Sequence, residues 1–279
     1  LVIFYNKTEY VKIKFKFKSY FNKMKVGFIF ILGFLVSSNE LLDWGTIGHR
    51  TVGEVAAQHI SKKTQIAIED LLEGASIAYI STYADEIKSD YRYDAYNSWH
   101  YANMELDENY DSSKKNSKGD IIQAIGKCIK VLKSKSASKK DRKFYLKLLI
   151  HFIGDLHQPL HLGKKSDKGG NDVKIKWFGE ISNLHRLWDS DLIDSSKLSY
   201  TELSKNLPRL SQAQQRELAS SPISIWIEET HKITKKIYND LPENVNLGYR
   251  YRYENFETIR LQLLKAGLRL AYVLDDIFK

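Results

Sequence analysis

Residues 151–163 read HFIGDLHQPLHLG. Three histidines and one aspartate fall within eleven positions of an otherwise apolar stretch. His151 and Asp155 are four apart, so a helix carries both on one face. Pro159 cannot donate a backbone hydrogen bond, and its ring would clash with the carbonyl of Asp155. The helix is therefore expected to bend or break there and to turn His161 in another direction. The segment NLHRLWD at 183–189 repeats the four-residue spacing with His185 and Asp189. A lone HxxxD pair is commonly an exposed helix ion pair of little energetic weight. Two such pairs on apolar helices bury charge with no evident partner, which costs several kcal/mol, and a shared metal cluster would remove that cost. Asp85 in YADEIK, His100 in WHYAN, and His49 in WGTIGH five residues after Trp44 offer further donors. Taken singly, His100 also reads as a satisfied core histidine and Asp85 as a helix cap or surface charge. Spacing alone leaves the metal site and the satisfied core both open.

Outward from this segment the pattern is helical. GHRTVGEVAAQHI at 48–60 puts Val52, Val55, Ala56 and Ile60 on one face, and a second helix is expected at 62–72. Others are expected at about 120–135, 139–157, 184–194, 200–217 and 223–240. The last, at 249–277, repeats Phe256, Ile259, Leu263, Ala266, Leu270, Val273 and Ile277 at spacings of three and four, a stripe that must pack on other helices. DENYDSSKKNSKG at 107–119 reads as a surface loop, and 163–172 as a glycine- and charge-rich turn. VKIKWFG alternates, predicting a short strand in a hairpin near 173–181. No linker divides 44–279, so the expectation is one all-α, compact multi-helix domain.

The chain has 279 residues and a formal charge of +9, of which residues 1–43 contribute +4. That is a mild bias towards anionic partners, well short of a strongly basic nucleic-acid-binding stripe. Cys128 is the single cysteine. An intrachain disulfide and the Cys₄ and Cys₂His₂ zinc sites are thereby excluded, so a metal would be held by His, Asp, Glu or a chain terminus. From Met24, one lysine precedes an eleven-residue apolar run, Val26–Val36, and then polar residues. That is the build of a secretory signal peptide over 24–43, too short for an ordinary membrane span. Leu41 and Asp43 stand where cleavage before Trp44 would favour small residues. Residues 1–23 are expected to be an upstream extension outside the fold. Secretion or a periplasmic location follows from that reading, with no stable membrane span and no obligate protein partner evident.

The segments WGTIGH, YADEIK, WHY, HFIGDLHQPLH, GGND and NLHRLWD, in this order and spacing, resemble those of the zinc-dependent S1/P1 nuclease family. These are single-strand-specific nucleases and 3′-nucleotidases of fungi, plants and bacteria, in a superfamily shared with zinc-dependent phospholipase C. The likeness runs from Trp44 to the end of the chain. It implies a helical domain with three zinc ions in a cleft. Asp85, His100, His151 and Asp155 would hold one. His161, His185 and Asp189 would hold a second. Trp44, through its own amine and carbonyl, and His49 would hold the third, with Asp155 bridging. A free amine at Trp44 is then part of the machinery. Imidazole and carboxylate suit zinc, which lowers the pKa of its water to near 7 and supplies hydroxide at neutral pH. The implied reaction is hydrolysis of single-stranded DNA, RNA and 3′-nucleotides, with nucleic acids cut to 5′-phosphates. Asp85 would also orient the attacking water, and Lys88 would offset charge in the transition state.

Tyr101 matches an aromatic position on which a base stacks. Asn103 stands where the fungal enzymes have an acid, exchanging a pure acceptor for a group that also donates. Asn171 matches an asparagine near the base and scissile phosphate. His157 is not required to be histidine and is expected to pack or support. His59 and His231 match no motif and are expected at the surface or in helix packing. A phospholipase C is the nearest rival, but its last ligand is glutamate where this chain has Asp189. A non-catalytic zinc-binding protein is the other alternative, and no ligand position is missing to favour it.

Overall fold

The computed structural model describes residues 44–279. The extension expected at 1–23 and the signal peptide expected at 24–43 lie outside the described residues. The described chain is helical apart from one small sheet. Its helices are α1 Thr46–His59, α2 Lys62–Leu71, α3 Ile77–Ile80, α4 Tyr83–Glu86, α5 Ile121–Lys133 and α6 Lys139–Leu156. After a β-hairpin come α7 Leu184–Arg186, a π turn Leu187–Asp191, and α8 Leu192–Asp194. Then follow α9 Tyr200–Lys205, α10 Gln212–Ser220, α11 Ile223–Asn239 and α12 Tyr249–Phe278. No helix among the described residues is long and apolar enough to cross a membrane.

Side-chain caps set several starts. Ser61 and Ser138 accept from Thr64 N and Asp141 N, and Asp120 accepts from the backbone of Ile122 and Gln123, each satisfying donors that a helix start leaves open. The helix expected at 200–217 is instead two, α9 and α10. Pro208 forces its predecessor out of the helical region, and Ser211 with Gln214 forms a capping box that restarts the chain. Sequence periodicity also passed over α3, α4 and the 3₁₀ segments Tyr91–His100 and Pro159–Leu162, which are too short or too tightly wound for a 3.6-residue pattern to register.

The core lies where α6 and α12 meet the rest. Leu146, Leu148, Leu149, Ile150, Phe152 and Ile153 of α6 are fully buried. α12 packs along α1, α10 and α6. Of its expected stripe, Ile259, Leu263, Ala266 and Leu270 are buried, whereas Phe256, Val273 and Ile277 are half-buried and Leu274 and Phe278 go in. A strict seven-residue stripe drifts about 20° per heptad on a straight helix, so the buried line moves off it towards the C-terminus.

The hairpin is present. β1 Lys174–Trp177 pairs antiparallel with β2 Glu180–Asn183, with Trp177 opposite Glu180. Phe178 and Gly179, both at positive φ, make the two-residue turn that suits the strand twist. β2 runs to Asn183, beyond the expected end at 181, and β3 Asn246–Leu247 adds a parallel edge to β1. Two residues carry no alternation, so β3 has no sequence signature.

Candidate metal centre

The helix carrying His151 and Asp155 ends at Leu156, and the chain re-enters as the 3₁₀ turn Pro159–Leu162. The expected break at the proline is there, and it turns His161 to the other side of Asp155. His151 Nε2 lies 3.0 Å from Asp155 Oδ2, and His161 Nδ1 lies 3.5 Å from Asp155 Oδ1. The two oxygens of one carboxylate thus face histidines from both sides of the break.

Around the first oxygen, His100 Nδ1 is 2.9 Å from Asp155 Oδ2 and 3.2 Å from His151 Nε2. Asp85 Oδ1 stands 3.4 Å from His151 Nε2. Around the second, His49 Nε2 is 3.2 Å from Asp155 Oδ1, and its ring stacks on His151 at 3.8 Å. Beyond Asp155, His161 Nε2 and His185 Nε2 approach Asp189 at 3.7 Å and 3.8 Å, and the two rings stack 5.3 Å apart. Three donor groups result, each with ligand atoms within 4.8 Å of one another: His49, His151 and Asp155; Asp85, His100 and His151; His161, His185 and Asp189. Apart from Asp85 these residues are buried. Trp44 is buried too, and the Gly45 N–H donates to the Asp189 carbonyl at 2.9 Å, which sets the Trp44–Gly45 backbone beside this cluster.

The electrostatics ask for cations. Both ring nitrogens of His49, Asp155 Oδ1 and Asp189 Oδ2 are buried without a hydrogen bond, although the His49–Asp155 distance would allow one. Such atoms are costly unless something else binds them. Burial pushes the Asp189 carboxyl well above its usual range. Burial opposes ionisation of Asp155 as well, but His151 and His161 outweigh it and hold that carboxyl well below the usual range. Burial also lowers His151, yet Asp155 and Asp85 hold it up at about 10. Burial and then the Lys88 charge bring His100 down to about 3. A proton on His151 thus stands in the position where a metal would neutralise the carboxylates. The all-nitrogen-and-oxygen donor set fits zinc.

Supports behind these groups were not legible in the sequence. The ring N–H of His151 at Nδ1 donates to the Ser81 carbonyl at 2.7 Å, and that of His185 to the Gly169 carbonyl at 2.7 Å. Each leaves Nε2 turned towards the cluster, with a lone pair in His185 and, in His151, with the proton that a metal would displace. Gln158 donates to Asp189 Oδ1 at 2.9 Å and accepts from Leu160 N. Gly154 is needed for space, since a Cβ there would lie 2.9 Å from His49 Nδ1. In sequence, Gln158 is only a polar residue before proline, and Gly154 a glycine inside a helix.

Lys88 Nζ is 3.0 Å from Asp85 Oδ1, and burial pushes its ammonium down to about 8, although the side chain remains 21% exposed. Tyr101 is exposed at 36%. The segment that follows it runs beside the 3₁₀ turn, with Ala102 N and Met104 N donating to the carbonyls of His161 and Gly163. Asn103 sits between them, its Oδ1 buried without a partner. Asn171 is half-buried and donates to the Lys168 carbonyl at 2.9 Å. His157, two residues from Asp155, faces away. Its Nδ1 donates to the Ile153 carbonyl and its Nε2 accepts from Arg269 Nη1 at 2.9 Å. His59 is exposed on α1, and His231 is buried on α11.

A family model described as S1/P1 Nuclease matches residues 44–279. Endonuclease 4 of Arabidopsis thaliana is 29% identical over 273 residues, covering 86% of this chain and 91% of the relative. Nuclease P1 of Penicillium citrinum is 28% identical over 270 residues, covering 84% and 97%. Nuclease S1 of Aspergillus oryzae is 28% identical over 169 residues, covering 57% of each chain.

Proposed function

This chain belongs to the S1/P1 nuclease family and is a hydrolase of ester bonds in nucleic acid, and from that premise we propose that it cuts single-stranded DNA and RNA to 5′-phosphates and removes 3′-phosphates from nucleotides, using three zinc ions. The observation that carries the metal assignment is the set of buried donors without hydrogen bonds around Asp155 and Asp189. In this reading Asp85, His100, His151 and Asp155 hold one zinc, and His161, His185 and Asp189 another. Trp44 and His49 hold the third with Asp155, once removal of the preceding segment frees the Trp44 amine outside the cytoplasm. The bound metal supplies hydroxide at neutral pH and offsets phosphate charge.

The chain's own groups do the rest. Asp85, the least buried carboxylate of the cluster, accepts a hydrogen bond from the attacking water and aims it. Lys88, beside Asp85, meets a non-bridging phosphate oxygen and offsets the charge that develops there. Tyr101 offers its face to a base, a contact worth about 1–3 kcal/mol. The amides of Asn103 and Asn171 bond base edges or the sugar–phosphate chain as donor or acceptor.

The test is purified mature protein beginning at Trp44, assayed for metal by elemental analysis and for hydrolysis of single-stranded DNA, RNA and a 3′-nucleotide. About three zincs per chain and cleavage to 5′-phosphate ends are expected. A short-chain phosphatidylcholine hydrolysed with single-stranded DNA left intact would overturn the proposal in favour of a phospholipase. A mature chain beginning elsewhere would sink the three-zinc arrangement.

A further inference from the structure

The turn that receives the His185 ring is built at some cost. Lys168, Gly169 and Gly170 follow one another at φ 57°, 66° and 85°. Left-handed backbone is unfavourable for a lysine by about 1–2 kcal/mol. Gly169 has no room for a side chain, since a Cβ there would lie 2.5 Å from the Leu160 carbonyl oxygen. A run of three such residues persists only where its surroundings hold it.

Those surroundings are specific. The 3₁₀ segment Lys165–Asp167 leads into the turn. Asp167 Oδ1 accepts the Gly170 N–H at 2.7 Å, and the Gly169 N–H donates to the Lys164 carbonyl at 2.8 Å. The same Asp167 oxygen accepts the hydroxyl of Tyr238 at 2.8 Å. Tyr238 reaches in from α11, 71 residues later in the chain, and the Lys164 ammonium lies 4.5 Å from its ring centre. Two of the turn's three carbonyls reach His185: Gly169 O accepts from His185 Nδ1 at 2.7 Å, and Gly170 O accepts from the His185 backbone N–H at 3.3 Å as well as from the Val173 N–H at 3.2 Å. A carbonyl can only accept, so Nδ1 carries the proton and Nε2 the lone pair.

We propose that Tyr238 and Asp167 are positioning residues for His185. The Tyr238 hydroxyl fixes the Asp167 carboxylate, Asp167 fixes the left-handed turn, and the turn fixes the tautomer and tilt of the imidazole. Neither residue touches the cluster itself. The inference rests on His185 being a metal ligand, and its test has one arm that does not require metal. Partners of this outer kind typically change metal affinity about 10–100-fold.

The experiment compares the wild-type protein with Tyr238→Phe, Asp167→Ala and Asp167→Asn, Asn being the conservative variant that keeps an acceptor oxygen. Chelator titration of the zinc-loaded proteins is expected to release one zinc at an about tenfold lower chelator concentration in Tyr238→Phe and Asp167→Ala, with Asp167→Asn in between. In metal-free protein, nitrogen-15 NMR of the histidine rings is expected to show a slowly exchanging Nδ1–H on His185. In Tyr238→Phe and Asp167→Ala that proton is expected to exchange faster. Tyr238→Phe keeps the ring and removes one hydroxyl, so it tests the chain of contacts even if Asp167→Ala fails to fold. A lower melting temperature with the wild-type His185 signal and wild-type zinc release would mean a purely structural role and overturn the inference. Wild-type protein that takes up no zinc would sink the metal reading alone, leaving the ring signal to decide the role of Tyr238.

Discussion

The last turn of α6 has two polar sides, and they are built in opposite ways. On one side His157 is fully buried, yet both ring nitrogens are bonded. Its partner Arg269, also fully buried, donates further to Glu229 at 2.7 Å, Ser221 Oγ at 3.2 Å and the Leu218 carbonyl at 3.3 Å, and lies over the Trp226 ring. Gln262 donates to the His157 carbonyl. On the other side His49, Asp155 and Asp189 are as deeply buried and keep polar atoms without hydrogen bonds. Burial of a histidine therefore says little about ligation. What separates His157 from His49 is whether the ring nitrogens are already used.

The comparison breaks most sharply at Asp155, whose two oxygens serve both sides of the proline break. Asp155→Asn is expected to lower hydrolysis of single-stranded DNA by about 10²–10³-fold or more, the range seen when a preorganised charge-stabilising group is lost. Elemental analysis should show fewer zincs per chain. Full activity and metal content in this variant would remove the distinction between the two sides.

Metal removal comes next. Zinc bound at a thousandfold above its dissociation constant stabilises the fold by about 4 kcal/mol. Urea denaturation with excess chelator should show a loss of that order, because the buried donor atoms around Asp155 and Asp189 then lose the metal. Arg269→Met tests the opposite side. Removing one member of a buried ion pair costs about 3–5 kcal/mol. Glu229 is 32% exposed, so water takes over part of its solvation, and a loss of about 2–3 kcal/mol is expected by urea denaturation. Zinc per chain should stay at the wild-type value. Zinc loss on Arg269→Met would show that the two networks are one. The smallest effect is expected from Gly154→Ala, whose methyl would press on His49 Nδ1. Zinc affinity there should fall about tenfold, read by chelator competition, with little change in the Arg269 network.

Much of this could be read from the chain before the structure. The two HxxxD spacings, the proline between His157 and His161, and the order of six short motifs identified the helices and gathered the donors. His157, expected to pack or support, has both ring nitrogens bonded away from them. The backbone carbonyls of Ser81 and Gly169 were not legible, because a carbonyl has no residue identity. Arg269 read as one more charged residue on α12, since its partners Glu229, Ser221 and His157 come from distant parts of the chain. The split between α9 and α10 was signalled by Pro208 and Ser211, whereas the two-residue β3 carried no pattern at all.

The π turn at Leu187–Asp191 bears on how this site tolerates change in length. A π turn takes about one residue more than the α-turn it replaces, and here the additional residue falls between Arg186 and Leu192, with Asp189 inside it. The same four-residue spacing that brings His151 within 3.0 Å of Asp155 leaves His185 at 3.8 Å from Asp189. Loss of one residue from this stretch would relax it to an ordinary helix, rotate Asp189 by about 100° about the axis, and preserve most of the fold while dismantling one donor group. The length of this segment is therefore expected to matter as much as Asp189 itself, because a deletion would move the carboxylate even where every other side chain is kept.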